Sequence, residues 1–170
     1  RLHDLVWNPV LPLLEGATTV VVIPSGPLFY LPFHALWDGE RHLIEGREIS
    51  TAPSARALIA LDRRAREPRS GTRPLVLGYE VEGLPGIARE VESVEAALPG
   101  ATVLVGREAT REALRRQGAE AGIIHLAAHA EFRGDNPLLS SILLADGPLT
   151  FYDLFDLRLQ AEMVVLSRCQ

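Results

Sequence analysis

The sequence predicts an α/β fold with a mostly parallel sheet flanked by helices. Two observations carry this expectation. From Pro74 onward, short runs rich in Val, Ile and Leu alternate with amphipathic segments of helical period. Hydrophobic residues make up 47% of the 170, enough to bury one substantial core in about one domain.

Taken in order, LVWNPVLPLLE (5–15) reads as a proline-interrupted helix, and GATTVVVIP (16–24) as a β-branched strand. SGP (25–27) is turn chemistry, so LFYLPF (28–33) is expected to return as a hairpin partner. PSARALIALDRRA (53–65) is helical, with Ser54 as N-cap after Pro53. REPRSGTRP is polar and rich in breakers. Residues 66–73 are therefore a linker between an N-terminal subregion (1–65) and a core (74–170).

In that core, PLVLGY (74–79), ATVLVG (101–106), GIIHLAAHA (122–130) and EMVVLSRC (162–169) are expected to be buried strands. Helices are expected at 87–98, ending before Pro99-Gly100, and at 110–117, opened by Thr110. SSILLADGPLTFYDLFDL is expected to give a strand, a turn at Asp146-Gly147 and a short helix.

A net charge of −5 argues against a general nucleic-acid binder, which needs a clustered basic face. No apolar run is long enough to span a membrane, and no signal peptide is present. A single cysteine, Cys169, allows no intramolecular disulfide. The chain opens at Arg1 within an amphipathic pattern, so it is expected to be a segment of a longer cytoplasmic protein.

GIIHLAAHAEF (122–132) carries two histidines four apart. The zinc-protease HExxH motif needs Glu after the first histidine, and here that residue is Leu126. On a strand, four residues span roughly 13 Å at about 3.3 Å each. Two ring nitrogens on one zinc each lie about 2.0–2.1 Å from it, so an extended pair cannot share a metal. No metal or cofactor is expected. His125, inside the apolar run, reads as a hydrogen-bonded core residue. His129 falls at the strand's carboxyl end, where chemistry gathers in open α/β sheets. Cys169 stands at the tip of the last strand. If the two strands are neighbours, the pair has the residue types of a base-activated thiolate. Spacing alone allows equally that Cys169 is a small buried hydrophobe.

Five blocks in order resemble the CHAT domain, a bacterial family of caspase-like cysteine peptidases often fused to tetratricopeptide repeats. They are VVVIPSGPLFYLPFHAL (20–36), HLIEGREISTAPSARAL (42–58), LPGIAREVESV (84–94), HLAAHAEFRGDNPLLSSILLADG (125–147) and VVLSRC (164–169). The resemblance covers nearly the whole chain. It implies a caspase-like fold whose C-terminal strands lie beyond Gln170, so that residues 1–170 are a partial domain. It also implies a catalytic histidine at His129, a nucleophile at Cys169 and oxyanion donors at the backbone N–H groups of Ala130 and Cys169. Attack on a peptide carbonyl through a thioester intermediate follows, with a protein or peptide as substrate and activation by a partner through an upstream tetratricopeptide-repeat or other regulatory region.

Ala130 stands where many relatives of the wider group have Gly, and Arg168 where a small residue is common. Ser167 occupies a position where metacaspases carry a specificity carboxylate. Glu131, Asp135, Asp153 and Asp156 are the acids available to a substrate pocket, none favoured over the others. A catalytically silent CHAT-like interaction module is the alternative reading. A nucleotide-binding domain is set aside, because PLVLGYEVEGLPG is neither GxGxxG nor GxxxxGK.

Overall fold

The computed structural model describes residues 2–66, 73–81 and 86–167. Arg168, Cys169 and most of the expected linker therefore lie outside the described residues. The chain divides into two compact units, Arg1–Glu67 and Pro68–Gln170.

In the first unit, α1 (Leu2–Val6) is followed by a 3-10 turn at Leu11–Leu14, so the expected helix over 5–15 is broken and begins earlier. Pro9 and Pro12 each lack an N–H and cannot continue a helical ladder. Strand β1 (Thr19–Val22) pairs in parallel with β2 (Glu48–Thr51), from Thr19 opposite Glu48 to Val22 opposite Thr51. The expected hairpin with 28–33 does not form. Residues Gly26–Tyr30 make a 3-10 helix with Pro27 in its first turn. The N–H groups of Leu28 and Leu31 are used locally, by Ser25 and Leu28 carbonyls. A proline at each end of LFYL removes further donors a ladder would need. Trp7, Phe33, Leu36 and Leu43 form the unit's core, joined by Val20, Val22 and Ile49. Helix α2 (Ala55–Ala65) starts at Ser54, whose hydroxyl accepts the Ala57 N–H at 3.1 Å.

The second unit has the expected α/β architecture. Strands β3 (Leu75–Tyr79), β4 (Thr102–Val105), β5 (Ile123–Ala128) and β9 (Met163–Ser167) form one sheet in the order β4-β3-β5-β9, every pair parallel. Between them come α3 (Ile87–Ala97) and α4 (Arg111–Gln117), the latter capped by the Thr110 hydroxyl. The third crossover differs from expectation. It carries a three-stranded antiparallel sheet of β6 (Ala130–Glu131), β7 (Ser141–Leu144) and β8 (Gly147–Thr150), then only a 3-10 turn at Asp153–Phe155. The turn lies at Ala145-Asp146, and Gly147 takes the positive φ of 118° that follows it.

Strand alternation sorts the core into two layers. Leu75, Leu77, Ile124, Leu126 and Ala128 pack with Leu114 of α4 and with Leu144 and Leu149 of the small sheet. Val76 and Ala127 face the other way, against Ile87 and Val91 of α3. Strand β9 is not buried as expected. It pairs only with β5 among the described residues and leaves Met163, Val164 and Leu166 exposed.

Gly78 marks the closest approach of α3 to the sheet, because a Cβ there would lie 2.6 Å from Val91 Cγ2. Gly78→Ala should destabilise the protein by about 1–3 kcal/mol through overpacking, read as a lower urea midpoint at unchanged slope.

Candidate active site

β5 ends at Ala128 and β6 begins at Ala130, so His129 is where the parallel sheet gives way to the antiparallel one. The His129 carbonyl accepts the Leu143 N–H at 2.8 Å. That bond makes Ala130 and Ile142 the non-hydrogen-bonded pair of the ladder, and the Ala130 N–H points away from β7. Among the described residues only glycines have positive φ, so Ala130 holds ordinary extended backbone.

Alternation continues through the junction. Ala128, Ala130, Ile142 and Leu149 face the α4 layer, which leaves His129, Glu131, Ser141 and Thr150 on the opposite face. His129 is half-buried, and its Nδ1 is enclosed with no hydrogen-bond partner among the described residues. Two other buried nitrogens share that state. Arg111 Nε still lies 3.6 Å from Asp146, and Trp7 Nε1 belongs to the apolar core of the first unit. An imidazole nitrogen enclosed without a partner is costly, and such a group calls for a chemical explanation.

His125 is held differently. It is buried, and its Nε2 donates to Glu90 Oε1 on α3 at 2.7 Å. Glu90 was not foreseen, although it lies three residues after Ile87 and four before Val94, beside the buried stripe of α3. Both histidines share a face, but only His125 has a carboxylate against it. They do not converge on a common ligand.

The four candidate acids separate. Asp135 is bound by the Arg133 guanidinium at 3.1 and 3.2 Å, which holds its carboxyl below the usual range. Asp153 accepts the Thr150 hydroxyl at 2.6 Å and the Thr150 N–H at 2.7 Å, and these hydrogen bonds depress its carboxyl. Asp153 and Asp156 line a depression with Arg111, whose guanidinium donates to the Asp146 and Pro148 carbonyls and ties α4 to the β7–β8 turn. Glu131 alone borders a cavity beside Ala130. This cavity, of about 240 Å3, is walled by Phe132, Pro137, Ser141, Phe151 and Leu154. The sequence reading missed it, although the TFYDLF run after the turn is its signal. Ser167, at the end of β9, pairs with Ala127. Cys169 and its backbone N–H lie outside the described residues.

The family model described as CHAT domain matches residues 1–170. No curated protein matches the chain. No described helix is long and apolar enough to cross a membrane.

His125→Ala should lower stability by about 1–3 kcal/mol in denaturant titrations, because it strands the half-buried Glu90 carboxylate. A second expectation concerns acid. The Asp153 carboxyl is depressed in the folded state, so its contribution is present above the unfolded value near 3.9 and is lost as pH falls through the lower folded value. Asp153→Asn should flatten the acid limb of the stability curve below about pH 4, measured by thermal melts across pH.

Proposed function

The chain belongs to the CHAT domain family, a caspase-like family, and we propose that it is a cysteine endopeptidase domain acting through His129 and Cys169. The observation that carries this reading is the enclosed, unpartnered Nδ1 of His129 at the carboxyl end of β5. The register supports it. Residues 123–127 of β5 each pair with the β9 residue forty positions later, from Ile123 with Met163 to Ala127 with Ser167. The same offset separates His129 from Cys169.

The chemistry then follows from the residue types. His129 takes the thiol proton, and Cys169 Sγ attacks the substrate carbonyl carbon, forming an S–C bond and an oxyanion. The Ala130 N–H, turned away from β7, and the Cys169 N–H are the donors to that oxyanion. Collapse breaks the C–N bond, with the proton passing from His129 to the leaving amine. Water, deprotonated by His129, hydrolyses the thioester and restores the thiol. The substrate is a protein or peptide, the setting is cytoplasmic, and an upstream repeat region gates the activity.

In the full-length protein, Cys169→Ala should abolish cleavage of partner proteins, and His129→Ala should reduce it to near background. His125→Ala should retain cleavage at temperatures where it stays folded. Gel analysis of candidate partners incubated with each variant checks all three. Undiminished cleavage by Cys169→Ala removes the peptidase assignment. Absence of cleavage by the wild type with every activating partner favours the silent interaction module.

A further inference from the structure

The cavity beside Ala130 is the least explained feature of the second unit. Its walls are mostly apolar: Phe132, Pro137, Ile142, Leu149, Phe151 and Leu154, with Ser141 and Thr150 among them. Phe155 extends the wall by packing edge-on against Phe151, ring centroids 5.2 Å apart. Phe132, Leu154 and Phe155 are all about half exposed or more, so the rim presents apolar surface to solvent. Single exposed apolar side chains are commonplace, but several gathered around one hollow mark a binding site.

Size and position narrow the occupant. At about 240 Å3 the hollow is smaller than the roughly 300–1,000 Å3 of sites that enclose whole small molecules. It suits one or two side chains. Ala130 lines it and directly follows His129, so the hollow adjoins the strand junction that carries the histidine. A side chain seated in it belongs to a segment lying beside Ala130, whose N–H is an oxyanion donor in the reading above. The one charged residue at its edge, Glu131, is turned outward with a side chain 64% exposed and lies 4.0 Å from Arg133. A charged side chain entering the hollow would lose hydration without a matching partner on the apolar walls.

The geometry points to a specificity pocket for an uncharged, apolar side chain (Leu, Met or Phe) flanking the scissile bond of the substrate. This inference rests on the endopeptidase reading above. Phe151 and Leu154 set the preference.

The test uses the full-length protein with hexapeptides that differ only in the residue flanking the bond, cut products being identified by mass spectrometry. Apolar peptides should be cleaved at least tenfold faster, by kcat/KM, than those with Asp or Lys at that position. Leu154→Glu, at an exposed position that tolerates the change, should move the preference to Lys and Arg while cleavage persists. Equal rates for apolar and charged peptides overturn the pocket. So does an unchanged preference in both Leu154→Glu and Phe151→Ser, or a preference for Lys that Glu131→Gln removes. If the wild type cuts no peptide with every activating partner present, the endopeptidase reading fails first. The pocket is then judged on Cys169→Ala by the Leu154 methyl NMR signal. A shift with the Leu peptide and none with the Asp peptide supports it, and any other pattern overturns it.

Discussion

Parallel hydrogen bonding along both edges of β5 is the constraint on which the second unit depends. β3 occupies one edge and β9 the other, in registers that run from one end of β5 to the other. Because β5 is buried on both faces, its alternation feeds two layers at once. Ile124, Leu126 and Ala128 go to the α4 layer, and Ala127 goes to the α3 layer. A slip of one residue would exchange the two sets and drive the His125–Glu90 pair into the wrong layer. The register is therefore strongly determined, and with it the face on which His129 stands.

The two histidines show how one strand gives the same side chain different work. His125 lies within the ladder, under α3, where the Glu90 carboxylate meets its ring nitrogen and fixes it. His129 lies one residue past the ladder's end, where the backbone turns into the small antiparallel sheet. There its carbonyl is engaged by Leu143 while its ring is not engaged by any described carboxylate. A histidine anchored through its backbone, with Nδ1 unpartnered among the described residues, is suited to exchanging protons. The small sheet does two further things at this junction. It turns the Ala130 N–H out of the ladder, and it sets the apolar hollow beside Ala130.

Much of this was legible in the sequence, for physical reasons. The four core strands are dense in β-branched and apolar residues, and both helices carry breakers or a hydroxyl cap at the predicted ends. The separation of His125 from His129 followed from position within the apolar run. The N-terminal hairpin was misread because LFYLPF has strand-like composition, while its flanking prolines deny it a ladder. The true partner of β1, EIST (48–51), is short and polar at three of its four residues, and so gives little signal. β8 was hidden by Pro148, tolerated because it sits on an edge strand. β9 read as buried from composition alone, and nothing in a strand's own residues states how many neighbours it has.

The central claim is that His129 acts on Cys169, and the thiol's own titration tests it most directly. The alkylation rate of Cys169 with iodoacetamide, followed across pH by peptide mass spectrometry in the full-length protein, reports its thiolate fraction. An adjacent imidazole predicts a rate that rises at a pH well below the ordinary thiol value near 8.5 in the wild type. It also predicts a return toward that value in His129→Gln and no change in His125→Gln. Superimposable profiles for wild type and His129→Gln would contradict the account.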